Sequence, residues 1–501
     1  MRAAVGRIGV LLALAIASAS CSSTPSAPSG DGRTTTTSPG PITVPAGTAP
    51  VTAADGSNRI LLWIGAPECA TLTDAQLDSW KANGVGGFVC ALQTLSGMTA
   101  ANDRDKEYEW TGNPQADLSA NGYRLQRQLR DSPLVRRVKA GGMKAYLTFY
   151  LANRNNIRTP LVEWFDDAGW ANLALPKIHD VAGAARLLGF AGIGFDSEVY
   201  PGGGRWDWNF PGNTKPEDVT RAAARTRGEQ TMKAIVDAFP NVEIFAYGAK
   251  FPDTWDATVQ AAYKGVPFTV SVQIDFWDGL SSVEGYKALR FTGELFYKRP
   301  FPAADWDDAL RTAQATMHAY LSQRWSNWRY AAPRFFQAPA AWIDGDGAGA
   351  APSTPANVAE QFKEFRRWTS GDEIYVFAYN ALTKFDYAPY VASLRAAAAP
   401  GTDRGDAPQL TVSSPPVTST TPAIELRGTS RDDLAVRSVT VADGQGATYA
   451  ARMELAAGNG SVSWTAAGIA LRPGSNTLTV TAEDIKGLTK VQNLTITSNR
   501  P

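Results

Sequence analysis

The stretch Gly192-Ile193-Gly194-Phe195-Asp196-Ser197-Glu198-Val199-Tyr200-Pro201 is an apolar run that stops on two carboxylates two residues apart. In a strand, residues i and i+2 point to the same side, which sets Asp196 and Glu198 on one face with Cβ atoms roughly 6.6 Å apart. Two carboxyl groups about 5 to 10 Å apart can flank one acetal carbon, one giving a proton while the other attacks or stabilises the cation, and this is what glycoside hydrolysis needs. The same pair also has a structural reading, in which Glu198 caps the next loop and Asp196 pairs with an arginine. The elements around the motif decide between the two.

From about residue 58 to 400, short apolar β-rich runs alternate with longer amphipathic stretches. The pattern predicts strands at Ile60 to Gly65, Gly87 to Leu92, Ala145 to Leu151, Gly192 to Val199, Val242 to Gly248, Thr269 to Phe276, Arg334 to Ala338 and Glu373 to Tyr379. It predicts helices at Thr73 to Asn83, Leu125 to Ala140, Pro216 to Ala238, Trp306 to Trp325 and Val358 to Trp368, where Ala, Arg, Leu and Glu recur at helical spacing. Continuous apolar strands separated by helices mean a parallel sheet covered by helices, and eight such units have the size of a (β/α)8 TIM barrel. The competing doubly wound sheet lacks its usual Gly-rich phosphate loop after the first strand, where Gly65-Ala66-Pro67-Glu68 stands instead.

In such a barrel the chemistry gathers at the carboxyl ends of the strands. Those ends carry Tyr150 and Asn153 on the third, Asp196 and Glu198 on the fourth, Tyr247 and Lys250 on the fifth, Gln273 and Asp275 on the sixth, and Tyr379 and Asn380 on the eighth. Trp63, Trp208, Trp255 and Trp277 lie on or near the same ends, where aromatic faces can stack on sugar rings or pack the helical shell. The reading assigns Glu198 as acid/base, Asp196 as nucleophile or stabiliser and Asp275 as a third catalytic carboxylate. The polar and aromatic groups Trp63, Tyr150, Asn153, Tyr247, Lys250, Gln273, Trp277, Tyr379 and Asn380 are assigned to substrate. One carboxyl must stay protonated near neutrality, which a neighbouring carboxylate and an apolar wall can arrange.

The fourth-strand motif resembles that of the family-18 chitinases and their clan, whose strand ends Asp-x-Asp-x-Glu, often followed by Tyr-Pro. Asp196, Glu198, Tyr200 and Pro201 match in kind, with Val199 extra and Gly194 in place of the first aspartate. The resemblance implies a glycosidase in which Glu198 is the general acid, Asp196 its partner and Asp275 an assistant. Barrels resembling the α-galactosidase clan instead imply an aspartate nucleophile ending strand four and an aspartate acid/base ending strand six, the places of Asp196 and Asp275. The commonest clan of retaining β-glycosidases is disfavoured, because Arg334-Phe-Phe-Gln-Ala-Pro offers no glutamate ending strand seven. A non-catalytic glycan-binding protein on the same scaffold is the alternative, since one fold hosts many functions.

The ends of the chain differ in texture from its middle. Arg2 and Arg7, an apolar run from Ile8 to Ala17 and small residues up to Cys21 read as an export signal too short to span a membrane. Ser18-Ala19-Ser20-Cys21 resembles a bacterial lipobox, which implies a lipid-modified Cys21 and an outward-facing membrane lipoprotein; simple secretion is the alternative. Residues 22 to about 57 are Ser, Thr, Pro and Gly with almost no large apolar side chain, the composition of a flexible tether. Cys69 and Cys90 should sit at the same end of adjacent strands, where export would let them pair as a disulfide, two buried thiols being the other reading.

After Pro400 short alternating strands with close turns, at Leu410 to Val412, Ile424 to Leu426, Val436 to Val441, Ser461 to Trp464, Asn476 to Ala482 and Val491 to Ile496, predict a small all-β sandwich over 408 to 499. Gly428-Thr429-Ser430, Asp433 and the run from Leu471 to Asp484 resemble the bacterial immunoglobulin-like modules appended to surface enzymes. The 48 basic and 48 acidic residues cancel and form no basic run, which argues against nucleic acid or anionic lipid as partner. His179 and His318, the two histidines, fall in helix-like segments, which removes a Ser-His-Asp triad and a His/Cys zinc site. The expectation is a monomer with a carbohydrate substrate, no cofactor and no metal.

Overall fold

A computed structural model describes residues 60–82, 84–94, 129–150, 152–153, 156–160, 162–196, 206–247, 271–283, 289–291, 318–319, 321–323, 340–342, 354–356, 374–377, 405–455, 461–485 and 487–500. The export segment with Cys21, the Ser/Thr/Pro/Gly stretch and the expected helix at Val358 to Trp368 lie outside these residues.

The strands of the first region are β1 (Ile60–Gly65), β2 (Val85–Thr94), β3 (Lys144–Tyr150), the small hairpin β4 (Ala152–Asn153) and β5 (Asn156–Pro160), then β6 (Gly192–Asp196), β7 (Glu243–Tyr247), β8 (Leu289–Phe291), β9 (Ala340–Trp342) and β10 (Ile374–Phe377). Eight of them form one sheet in the order β8-β7-β6-β3-β2-β1-β10-β9. Every pairing in it is parallel. Among the described residues β8 and β9 are its two edges, and no pairing joins them.

Each strand has two faces. Ile60, Leu62 and Ile64 of β1, Phe88 and Cys90 of β2, Ala145 and Leu147 of β3, Ile193 and Phe195 of β6 and Ile244 of β7 share a core with helix residues such as Leu77, Leu134, Ile178 and Ile235. The alternate residues Leu61, Trp63, Val89, Ala91, Tyr146 and Phe245 form a separate cluster that holds no helical residue. The sheet is therefore buried on both sides, which is why its strands read as unbroken apolar runs.

The helices are α1 (Ala66–Thr71), α2 (Asp74–Ala82), α3 (Pro133–Lys139), α4 (Leu175–Leu187), α5 (Glu217–Ala238) and α6 (Gln273–Ser281). Thr73 and Gln76 reciprocally cap α2 through side-chain hydrogen bonds. Ser132 caps α3 by accepting from the Val135 amide, with Pro133 in the first turn, and Leu129 and Arg130 are helical before it, so the expected helix Leu125 to Ala140 is interrupted at Asp131 and Ser132.

The expected sixth strand is corrected. Thr269 and Val270 are outside the described residues, Ser271 makes an isolated bridge with Asp207, and from Gln273 the chain is helical. Six of the nine residues of α6 are apolar or small, and all but Asp275 are buried. A helix buried all round carries no amphipathic period, so over so short a run its sequence looks like a strand. The sheet gains β8 instead, whose three residues are too few to register as a pattern. Expected strand seven, Arg334 to Ala338, is outside the described residues, and the strand found in that part of the chain is β9.

The C-terminal region comprises β11 (Gln409–Ser413), β12 (Thr418–Ser419), β13 (Ala423–Arg431), β14 (Val436–Asp443), β15 (Thr448–Ala450), β16 (Arg452–Leu455), β17 (Ser461–Ala470), β18 (Gly474–Asp484) and β19 (Thr489–Ser498). They form two sheets, β11-β13-β17-β16 and β12-β19-β18-β14-β15, antiparallel except where β12 meets β19. Leu426, Val439, Val441, Val462, Trp464, Leu478, Val480 and Ile496 fill the core between them. Gly428 makes room for Trp464: a Cβ there would lie 2.5 Å from the indole.

The two regions share packing. Helical residues 318–319 carry Ala319 into the core of the β sheets, while Leu434, Ala435 and Ile485 of the β region join the core of the parallel sheet and its helices. Ser322 Oγ accepts from the Met453 amide at 2.8 Å, and Gln323 Nε2 donates to the Met453 carbonyl at 2.8 Å.

Candidate active site

Parallel register sorts the inner face of the sheet into rows, three of which lie above Leu61–Gly87–Lys144. The lowest of the three is Trp63–Val89–Tyr146–Gly192–Glu243, the next Gly65–Ala91–Thr148–Gly194–Phe245, and the uppermost Thr94–Tyr150–Asp196–Tyr247. The lowest row is bulky. The Tyr146 hydroxyl donates to Glu243 Oε2 two strands away, and its ring meets Phe245 edge-on with centroids 4.6 Å apart. These side chains cross over β6 because that strand has no side chain in their way: a Cβ on Gly192 would fall 1.7 Å from the Glu243 carbonyl oxygen. Glu243 also has the Lys144 ammonium at 3.7 Å, so its charge is balanced on the amino-end side of the sheet.

Above this plug the second row is small. Gly65, Ala91, Thr148 and Gly194 occupy four consecutive strands, and the uppermost row starts two residues further on. Asp196 thus ends β6 in register with Tyr150 on β3 and Tyr247 on β7, two residues beyond Gly194 of the small row. This is the carboxyl end of a parallel sheet, where open α/β sheets and barrels both place their sites. Asn153 lies three residues past Tyr150, in the hairpin strand β4. Glu198, Lys250, Tyr379, Asn380 and Trp255 lie outside the described residues.

The remaining expected site residues are relocated. Asp275 sits in the first turn of α6 rather than at a strand end, and Arg221 of α5 reaches it at 2.7 Å while also donating to the Ser271 carbonyl at 2.9 Å. A second pair, Arg225 with Asp278 at 3.0 Å, repeats the link one turn along. Two consecutive Arg–Asp pairs between the same two helices are how helices are held together, and they give Asp275 a structural task. Gln273 and Trp277 are fully buried in α6, Trp277 packing edge-on against Phe195 and Phe276. Trp63 is buried in the inner plug. Neither indole offers a face to a sugar ring, which corrects their assignment to substrate; Trp208 is half-buried against the helix-side core.

Cys69 of α1 and Cys90 of β2 are joined as a disulfide with Cα atoms 6.0 Å apart. The bond ties the middle of α1 to β2, at the row of Leu147 and Ile193. Strand-end reading did not single out Tyr146, Thr148 or Phe245. Their signal was the period of two, which sets them on the face of Asp196. Among the described residues no three His, Cys, Asp or Glu side chains converge in a way that could hold a metal ion.

No family model and no curated protein matches the chain. Solved structures similar to it include a family-18 chitinase from Pseudoalteromonas aurantia, 10% identical, covering 67% of this chain and 99% of that one with a TM-score of 0.35. An endocellulase from Pyrococcus horikoshii is 12% identical over 66% of this chain and 86% of that one, TM-score 0.36. An endo-fucoidan hydrolase of glycoside hydrolase family 107 is 13% identical over 88% and 80%, TM-score 0.36. Likeness at these scores transfers no activity, and the chemistry rests on the chain's own strands and side chains.

Proposed function

We propose that this protein is a glycoside hydrolase acting on a poly- or oligosaccharide by carboxylate acid/base chemistry. The observation that carries the reading is Asp196, ending a central strand of an all-parallel sheet between Tyr150 and Tyr247 and above a layer of small residues. A carboxylate so placed suits attack on, or stabilisation of, an electron-poor anomeric carbon, and flanking phenols suit sugar hydroxyls. The strand motif offers Glu198 as the second carboxyl. The C-terminal β region belongs in this reading to the immunoglobulin-like modules of surface enzymes, and Cys21 anchors the exported chain by a lipid. Among the described residues no helix is long and apolar enough to cross a membrane.

The Arg221–Asp275 pair favours the second reading, a glycan-binding protein without turnover, since it removes one of three expected catalytic carboxylates. Sugar release from a panel of bacterial, fungal and plant glycans separates the two. Release by the chain from Thr48 onward, reduced about 100-fold or more in both Asp196→Asn and Glu198→Gln, is the expected result. Binding that survives in wild type and variants alike, with no release, would establish the binding protein.

A further inference from the structure

We propose that the C-terminal β region binds a calcium ion between Asp432 and Asp484, at the corner where it docks on the parallel-sheet region. The inference is independent of what the carboxyl end of the parallel sheet does. Asp432 lies in the turn between β13 and β14, and Asp484 ends β18, in register with Val436 at the start of β14. One hydrogen-bonded corner joins them. Asp432 Oδ1 accepts from the Leu434 amide at 2.8 Å and the Ala435 amide at 3.0 Å. The Ala435 carbonyl accepts from the amide of Ile485, the residue after Asp484, at 3.1 Å. Asp484 Oδ1 accepts from the Leu488 amide at 2.7 Å.

Both side chains are out of water, Asp432 being 4% exposed and Asp484 0%. Asp432 Oδ2 is enclosed and makes no hydrogen bond. A buried carboxylate oxygen left in this way is costly unless a proton or a metal ion takes it. The turns themselves do not need the charge: each amide asks only for a carbonyl oxygen, which asparagine also offers. Two aspartates instead set like charges against each other, and Asp433 adds a third at the exposed rim, where it accepts from the Asp406 amide at 3.3 Å. Burial first, with repulsion from Asp484 and then Asp433, pushes the Asp432 carboxyl up to about 7 against the pull of the Leu434 and Ala435 amides. The Arg437 guanidinium is engaged by Glu483, which points to the other face of β18 from Asp484. A corner that concentrates buried acidic oxygen suits a hard divalent cation. Two carboxylates are too few for zinc, whereas calcium completes its shell with backbone carbonyls and water.

The place of the ion gives it a task. Leu434 and Ala435 follow Asp432 and Asp433, Ile485 follows Asp484, and these three apolar residues are the ones that enter the core of the parallel-sheet region. An ion bridging Asp432 and Asp484 ties together the two chain segments that carry them, so calcium stiffens the junction between the two regions.

The test titrates the full chain, stripped with EDTA, with calcium chloride near neutral pH. Equilibrium dialysis should show one calcium bound at this corner with a midpoint of about 0.1 to 1 mM, the range of extracellular modules. Saturating calcium should raise Tm by about 2 °C or more. Asp432→Asn and Asp484→Asn keep the acceptor oxygen of each turn and should weaken this binding about 10-fold or more. Amide NMR places the ion without any variant: the Leu434, Ala435 and Leu488 N–H signals, which report on the two carboxylates, should shift in step with binding. Calcium that binds without moving these signals is held elsewhere and overturns the proposal, as do folded variants that keep wild-type affinity. A wild type whose melting ignores calcium up to about 10 mM overturns it as well, and is the result expected of a carboxyl pair that simply keeps a proton.

Discussion

A carboxyl taken out of water must keep a proton or weaken the fold, and Asp180 on α4 is such a group. Burial pushes it up to about 7. The native state then binds this proton more tightly than the unfolded chain, so stability falls as pH rises from about 4 to about 7 and the loss is complete above that window. Asp180→Asn should gain about 1 to 3 kcal/mol at pH 8 and almost nothing at pH 4, measured by urea unfolding. A gain of equal size at both pH values would refute the burial account. Asp432 in the C-terminal region is pushed to about 7 by burial as well, with Asp484 and Asp433 adding repulsion, so the difference between variant and wild type isolates Asp180 from the shared trend.

Glycines on helices show how elements are fitted to one another. A Cβ on Gly228 of α5 would lie 2.0 Å from the Phe276 carbonyl oxygen, and one on Gly279 of α6 would lie 1.9 Å from the Arg225 carbonyl oxygen. These are backbone atoms, which can move only with their helix, and the contact they permit brings Arg221 and Arg225 onto Asp275 and Asp278. Gly228→Ala should cost about 3 kcal/mol or more by forcing the helices apart. Gly183 of α4 has nothing within 4 Å of its would-be Cβ, so Gly183→Ala should stabilise by about 0.5 to 1 kcal/mol through backbone entropy alone. Paired thermal melts test both. Loss of stability in Gly183→Ala would show a contact on that face.

At the scale of the molecule, the β region is joined to the parallel sheet through packed side chains as well as by the chain itself. His318 is fully buried at this junction, where burial first and the Arg437 guanidinium second hold its imidazole down at about 3. The unfolded histidine titrates near 6.5, so stability is intact above that value and is lost as pH falls toward 3, by at most about 1.4 kcal/mol per pH unit. His318→Gln should flatten this part of the curve. If wild type and variant lose stability in parallel between pH 6 and 4, the junction does not depend on a neutral histidine. The Met453 hydrogen bonds from Ser322 and Gln323 make the same junction specific in direction as well as apolar.

Local pattern was enough for much of this architecture. The apolar runs placed β1, β2, β3, β6, β7 and β10 to within a few residues, α5 to its ends, and six of the nine strands of the C-terminal region, the short β12, β15 and β16 being missed, because each of the placed elements follows the period of its own hydrogen bonding. Asp196 at a strand terminus was equally legible. Sequence could not tell α6 from a strand, since burial on every side erases periodicity, and so misplaced Asp275, Gln273 and Trp277. Nor could it show that the Trp63 indole is buried in a plug or that the Asp432 and Asp484 carboxyls share one buried corner. Those facts depend on which strands become neighbours and on what fills the space between them, and only the packed chain sets either.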